Sequence, residues 1–234
     1  MHIRLTTCLL ILALIGPTAG CGDEGPAPDA AAVPTIDALI EQARAASARD
    51  PEGTTLPGIW RTQSAVEGGG FRVWADLIWI IGETHAWHAV LVYTDASRST
   101  PLARWDILRA YHTGGPAAIA ETAVQLDWQD VSSYLTVYTD MPEVVTALGI
   151  DDCAPAIGAA FSTADDNCGA PFFPFRDCTL MDFADVTPAG LTFGEPRATD
   201  RCVERVDVYE GWTFEQVPFD GDLPGLLADR PAAL

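Results

Sequence analysis

The spacing of three histidines in the middle of the chain suggests a possible metal site. His85 and His88 stand three residues apart, and His112 follows. Imidazoles bind zinc when two or more rings converge on one point. On a β-strand, a separation of three puts His85 and His88 on opposite faces, so we expect one half-buried ring and one solvated ring. His88 and His112, from neighbouring strands, would make the better metal pair. We predict no metal and no other cofactor.

Nucleophilic catalysis has little support in the sequence. No Gly-x-Ser-x-Gly motif surrounds Ser97, Ser132 or Ser162. The chain contains no lysine, which excludes Schiff-base chemistry and phosphate-binding lysines. We therefore predict that the protein is not an enzyme and has no catalytic residue.

The first 20 residues have the organisation of an export signal. Arg4 precedes an apolar run, and small residues follow as far as Cys21. The run is too short to span a bilayer stably. Ala19-Gly20-Cys21 resembles the end of a lipobox, in which the cysteine is lipidated and becomes the first mature residue. We predict a lipid anchor at Cys21 that holds the protein to the outer membrane or in the periplasm. Plain secretion, with cleavage near Gly20, is the alternative.

Four cysteines remain if Cys8 leaves with the signal and Cys21 is the anchor. They are Cys153, Cys168, Cys178 and Cys202. In an oxidising compartment an even number of cysteines indicates disulfides. Three pairings are possible, and the shortest loops would join Cys153 to Cys168 and Cys178 to Cys202. A zinc site is the competing interpretation, but the sequence contains no Cys-x-x-Cys pair.

The composition of the chain indicates its segments and argues against nucleic acid as a partner. The formal net charge of −20 repels phosphate groups, so we predict no binding to nucleic acid. Residues 21–35 are rich in Gly, Pro and Ala and predict a flexible tether, and residues 36–50 predict a short helix. Residues 51–220 suffice for one domain with a sizeable core, and residues 221–234 form a C-terminal tail.

An alternation of period two organises the middle of the chain. Between residues 71 and 83, Leu77, Trp79 and Ile81 share one parity with other apolar residues, whereas Arg72 and Asp76 have the opposite parity. This pattern is typical of a strand with one buried face. The further segments that bring the total to eight to ten strands are residues 58–64, 85–95, 104–112, 118–128, 130–140, 178–186, 190–194, 202–209 and 212–217. Short polar links favour antiparallel up-and-down connections, and closure hides the strand edges. We predict an all-β antiparallel barrel, with a sandwich as the alternative.

Several segments resemble known families. Gly58-Ile59-Trp60 is similar to the Gly-x-Trp strand of lipocalins and other calycins, in which the Trp plugs the closed end of the barrel beneath an Arg. Arg205 would be that Arg. The spacing from Asp152-Cys153 to Cys202–Arg205 looks like that of the adenomatosis-polyposis-coli-down-regulated family and its bacterial single-domain relatives. This resemblance covers about residues 56–218, and it implies an extracellular lipocalin-like barrel with an apolar cavity.

The apolar faces of the strands predict where a ligand would bind. Facing sides of neighbouring strands should converge on one interior, in which an apolar tail packs against Trp79 and Trp105 while Tyr93 or Tyr111 supplies a hydroxyl to the head group. The predicted ligand-binding residues are Leu77, Trp79, Tyr93, Trp105, Tyr111 and Leu126. We predict a cell-envelope lipoprotein that binds a small apolar or amphipathic, lipid-like molecule. The alternative is a surface interaction or structural module whose barrel is filled by side chains.

Overall fold

The computed structural model describes residues 33–68, 71–148, 150, 153, 156–164, 177–194, 202–218 and 223. The predicted signal peptide, the anchor at Cys21, most of the tether, Cys168 and nearly all of the tail lie outside these residues. None of the helices in the described ranges is long and apolar enough to cross a membrane.

The first element is a helix, α1, at Ile36–Arg49, in agreement with the helix predicted there. The side-chain oxygen of Thr35 caps it by accepting a hydrogen bond from the Ala38 amide at 3.2 Å. Asp37 and Arg49 carry the charges that the helix dipole favours in the first and last turns. The apolar face of α1 is buried against the outside of the strands, a position that the sequence did not indicate.

Nine strands are found in the described ranges, together with a second helix, α2, at Pro142–Leu148. The strands are β1 (Gly58–Gly68), β2 (Phe71–Ile81), β3 (His85–Tyr93), β4 (Pro101–Pro116), β5 (Ala123–Val137), β6 (Ala160–Ser162), β7 (Thr179–Thr187), β8 (Gly190–Phe193) and β9 (Glu215–Gln216). Their order in the sheet is β8-β7-β5-β4-β3-β2-β1-β9, and β6 pairs with the second half of β5. All of these pairings are antiparallel.

The sheet curls until its two edges almost meet. β9 pairs with Trp60 and Arg61 of β1. Phe214, just before β9, exchanges both backbone hydrogen bonds with Leu191 of β8, at 2.8 and 2.9 Å. Residues 214–216 therefore bridge the edges at one end of the sheet. The predicted antiparallel barrel is confirmed as a nearly closed barrel, compatible with a lipocalin-like fold.

Buried apolar side chains lie on both faces of this sheet. The larger cluster lies inside the barrel and draws on β1 to β5, β7 and β8. A second cluster lies outside, where α1 covers apolar residues of β1, β2 and β3, and Leu223 joins it there. The outer surface of the barrel is therefore covered by α1 over parts of β1 to β3 and exposed to solvent in some other places.

Two predicted strand assignments are wrong in detail. Residues 118–128 and 130–140 are not two strands, because Ala123–Val137 forms one long strand after a turn at residues 117–122. A register shift at Leu108 and Arg109 marks a bulge that lets so long a strand follow the curvature of the barrel. Residues 202–209, predicted as a strand, form turns and irregular structure instead, with an isolated bridge between Tyr209 and Gly194.

A disulfide between Cys178 and Cys202 fastens this irregular segment to the start of β7. It is one of the two bridges that the shortest loops predicted. Cys153 is also disulfide-bonded, and Cys168, its predicted partner, lies outside the described residues. A bridge of this kind typically stabilises a fold by roughly 2–4 kcal/mol.

Candidate functional site

Four successive rows of inward-facing side chains are set by the pairing register of β1 to β5. The first row, at the end where β2 turns into β3, contains Gly58, Ile81, Ala86, Arg109 and Asp130. The second contains Trp60, Trp79, His88, Ile107 and Ser133. The third contains Thr62, Leu77, Val90, Trp105 and Leu135, and the fourth Ser64, Ala75, Val92, Ala103 and Val137. We call the first two rows the floor, the third the middle row and the fourth the mouth row.

The floor is packed with aromatic rings. The Trp79 indole stacks on the His88 imidazole, with 4.0 Å between ring centroids and an angle of 3° between ring planes. On its other sides Trp79 contacts Trp128 and Phe193, at centroid distances of 5.2 and 4.8 Å. Rings in such contact exclude other molecules from the space between them, so the floor is a filled core.

A buried ion pair completes the floor. Arg109 Nε donates a hydrogen bond to Asp130 Oδ1 at 2.7 Å, and these side chains are 10% and 1% exposed. The guanidinium also lies over the faces of Trp79 and Trp128, 5.5 and 5.8 Å from the ring centroids, where cation–π attraction adds to the ion pair. The charge of Arg109 is therefore matched within the floor.

The histidines occupy positions that differ from the prediction. His85 and His88 are both buried, because the barrel interior covers one face of β3 and outer packing covers the other. Burial, reinforced by the positive charge of Arg109, lowers the pKa of His88 well below its ordinary value, so its ring is neutral at pH 7. His112 is exposed on the outer side of β4, and the suggested metal pair of His88 and His112 is wrong. Within the described ranges no group of three or more His, Cys, Asp and Glu side chains could hold a metal ion.

The mouth row contrasts with the floor in the size and exposure of its side chains. It contains no ring, and Ser64, Ala75 and Ala103 are among its smallest members. On β1 and β3, the inward-facing Thr62, Ser64 and Val92 are partly exposed to solvent. Solvent therefore reaches the inside of the barrel along the β1–β3 side of the mouth.

Helix α2 covers the other side of the mouth. Its Val144 and Val145 pack against the interior cluster, and Ile150, two residues beyond the helix, is completely buried in that cluster. Ala103 and Val137, on the β4–β5 side, are correspondingly 1% and 0% exposed. At the mouth, Ser64 and Val92 are thus partly exposed, whereas Ala75, Ala103 and Val137 are buried.

Five of the six predicted ligand-binding residues face the barrel interior. They are Leu77, Trp79, Trp105, Tyr111 and Leu126. Leu77 and Trp105 lie in the middle row, directly beneath the mouth, whereas Trp79 belongs to the floor. Tyr111 donates its hydroxyl to the carbonyl of Gly82 at 2.6 Å, at the floor end, so it cannot serve a head group at the mouth.

Tyr93 lies on the opposite side of the sheet. It packs, with Leu91, in the outer cluster that α1 covers, and the expectation that Tyr93 faces the interior is wrong. The first seven residues of β3 are all buried. A strand buried on both faces has no apolar–polar alternation from which the inner face can be identified.

Trp60 and Gly58 are placed as the Gly-x-Trp resemblance implies. Trp60 is 1% exposed, and its indole N–H donates to the carbonyl of Leu56 at 2.9 Å. Leu56 belongs to the segment between α1 and β1, which therefore passes across the floor end. A Cβ on Gly58 would lie 3.2 Å from Ser47 Oγ and 3.3 Å from Trp60 Nε1, so glycine allows this close approach.

Arg205 does not lie beneath or above Trp60, and its predicted role is wrong. Its guanidinium donates to Asp127 Oδ1 at 2.6 Å and to the carbonyl of Leu126 at 3.2 Å, both on β5. It also donates to the carbonyl of Asp182 on β7. Because Asp127 faces outward, Arg205 joins β5 to β7 from outside the barrel.

A shallow groove of about 250 Å³ lies at the floor end. Its lining residues are Glu52, Gly53, Trp60, Thr187, Pro188, Ala189, Gly190, Glu215 and Gln216. Two carboxylates and a carboxamide make it polar, and Trp60 contributes little exposed surface there. An apolar ligand therefore fits the mouth better than this groove.

The hydroxyls of Thr62 and Ser64 at the mouth were not among the predicted site residues. The alternation of β1 does contain the signal, because an inward Trp60 requires residues 62 and 64 to point inward too. The sequence could not indicate that solvent reaches them, since their exposure depends on where α2 lies.

No protein-family model matches the chain, and no curated protein matches it in sequence. The fold and the barrel interior are therefore the grounds on which a function is assigned.

Proposed function

We propose that this protein binds a small apolar or amphipathic molecule between the mouth row and the middle row of its barrel. The observation that carries the proposal is a row of small, inward-facing side chains, open to solvent on one side, above a floor that is packed with rings. Barrels of about eight strands hold one small ligand where side chains do not fill the interior. Ser64 and Ala75 stand at this level, where the floor has Trp60 and Trp79, and their small side chains favour space for a ligand.

In the proposed complex the apolar part of the ligand packs against the middle row. Leu77, Val90 and Trp105, which are at most 4% exposed without a ligand, would contact it there, with Trp105 as the largest contact. The ligand enters on the β1–β3 side, and its head remains near Thr62 and Ser64 in reach of solvent. A mostly apolar pocket with a few polar groups at its mouth is the usual form of a small-molecule site.

The proposed setting is the cell envelope, with the protein acting as a binder and not as an enzyme. The first 21 residues have the features of a lipoprotein signal ending at Cys21, and residues 22–35 would tether the barrel to a membrane. The disulfide between Cys178 and Cys202 is in keeping with an oxidising compartment. We also propose that this protein is related to the bacterial single-domain members of the adenomatosis-polyposis-coli-down-regulated family.

Titration with N-phenyl-1-naphthylamine, an uncharged apolar dye that fluoresces in apolar surroundings, tests the proposal. We expect saturable binding to the wild-type protein. Ser64→Phe, which places a ring in the mouth row, should weaken binding at least about tenfold, equivalent to 1.4 kcal/mol. The matched control is Ala65→Phe, because Ala65 is the next residue of β1, is exposed and faces outward.

Two results would count against a cavity. One is the absence of saturable dye binding by wild-type protein whose folding is verified by circular dichroism. The other is an equal loss of binding in Ser64→Phe and Ala65→Phe, which would place the dye on the outer surface.

The packed floor favours a second candidate, a surface interaction module with a filled barrel. Its ion pair, its stacked rings and its two buried Trp side chains show how completely side chains can occupy this interior. A wild-type protein that binds no dye would leave this candidate in place of the first.

A further inference from the structure

We propose that the ligand has an uncharged head group that donates a hydrogen bond, as an alcohol or an amide does, and that fatty-acid anions are poor ligands. This inference rests on the proposed function and narrows it to one class of amphiphile.

The inward-facing polar side chains of β1 at the mouth are neutral hydroxyls. Ser64 Oγ donates to the carbonyl of Ala65 at 3.2 Å, which leaves its oxygen lone pairs as acceptors. Thr62, two residues along the same face of β1, adds a second hydroxyl. A head group with an O–H or N–H can donate to these oxygens, whereas a carboxylate can only accept.

The described strand residues that face inward in the two upper rows carry no charge. None of the ten residues of the mouth and middle rows on β1 to β5 is charged. Arg109, the cation of the first floor row, is already paired with Asp130 and held between two indoles. A charged head group at the mouth would lose hydration without gaining a counter-charge.

The net charge of the chain also disfavours anionic ligands. At −20, the field around the protein opposes the approach of an anion. On α2, which covers the β4–β5 side of the mouth, the charged residue is an acid, Glu143. Anionic amphiphiles are therefore disfavoured both on approach and in the site.

The test compares three ligands with the same ten-carbon chain, decanol, decanoate and decylammonium, by displacement of N-phenyl-1-naphthylamine at pH 8. We expect decanol to displace the dye best, with decanoate at least tenfold weaker. Raising the salt concentration should screen the repulsion between decanoate and the acidic protein, so the affinity for decanoate should rise towards that for decanol. The affinity for decanol should not change.

A double variant, Thr62→Val with Ser64→Ala, removes both hydroxyls at little change in volume. Decanol should then bind about fivefold more weakly, as expected for the loss of about one net hydrogen bond, while dye binding stays the same. Ser132→Ala, on the outer side of β5 opposite Leu108, is the control and should change neither.

The outcomes separate this inference from the proposed function. If decanoate or decylammonium binds as tightly as decanol, or if none of the three displaces bound dye, the head-group inference is overturned and the cavity stands. If the wild-type protein binds no dye at all, the proposed function fails, and the inference fails with it.

Discussion

The floor and the mouth of the barrel are built from the same strands but by opposite means. Along β1 and β2 the floor has Trp60 opposite Trp79, whereas the mouth row has Ser64 opposite Ala75. The floor adds a buried ion pair and cation–π contacts, and it excludes solvent. The mouth leaves inward-facing side chains in contact with solvent. The difference teaches that the packed rings and the buried ion pair are concentrated at one end of the barrel, which leaves the other end for the proposed ligand.

Truncation of the floor should give the largest effect. Trp60→Ala removes a fully buried ring and the hydrogen bond to Leu56, and should lower the free energy of unfolding by roughly 3–5 kcal/mol in urea denaturation. Trp74→Ala is the control, because Trp74 faces outward and is only half-buried. A loss below about 1 kcal/mol for Trp60→Ala would contradict the description of the floor as a packed end.

Breaking the buried ion pair should come next. Arg109→Met leaves the buried Asp130 carboxylate without its counter-charge, and we expect the free energy of unfolding to fall by about 3 kcal/mol. This is the lower end of the range for such pairs, because Arg109 is slightly exposed. Adding Asp130→Asn should recover much of that loss. Asp127→Asn, which breaks the more exposed pair with Arg205, should cost less than about 1 kcal/mol. Equal costs for the two pairs would show that the floor does not bury Arg109 as described.

Adding volume compares the two ends directly. Ala86→Leu inserts a side chain between Ile81 and Arg109 in the first floor row, and should cost about 1–3 kcal/mol through overpacking. Ser64→Leu adds similar bulk at the mouth, where solvent already enters, and should change the free energy of unfolding by less than about 0.5 kcal/mol. If both variants are equally destabilised, the mouth holds no spare space.

The smallest expected effect concerns pH. Because the pKa of His88 is lowered in the folded protein, the unfolded chain takes up a proton below its ordinary value of about 6.5 while the folded protein does not. Stability should therefore fall as pH drops from 7 towards 5, by at most about 1.4 kcal/mol per pH unit from this residue. The stability of His88→Phe, measured by urea unfolding, should depend less steeply on pH than that of wild type, and His112→Phe, at an exposed position, is the matched control. Identical slopes for all three proteins would contradict the burial of a neutral His88.

The sequence predicted the inner face of a strand where polar residues mark the outer face. In β2, Arg72 and Asp76 lie on the outer face, although Asp76 is only 3% exposed, and they assign Leu77 and Trp79 to the inner face. In β3 both faces are buried and largely apolar, and Tyr93 was placed on the wrong one for that reason. Alternation therefore identifies the inside of a barrel only where polar side chains mark its outside.

Long-range contacts account for the other errors. Nothing near Arg205 in the sequence distinguishes a contact with Trp60 from one with Asp127, because each lies far away along the chain. The position of α2 at the mouth also depends on long-range packing, because the chain must fold back onto the barrel after β5. Local pattern therefore gave the barrel and its packed end, while the mouth, which is the candidate site, required three-dimensional placement.

The seam of the barrel has a kinetic consequence. The hydrogen bond from Gln216 Nε2 to the carbonyl of Asp50 links residues 166 positions apart, and β9 meets β1 beside it. A chain that is made from its amino end must hold β1 with an unpaired outer edge until residues 214–216 arrive. Such late, non-local closure slows folding and leaves a strand edge open to pairing with other chains. Protection of that edge by a chaperone while the chain folds would therefore limit aggregation.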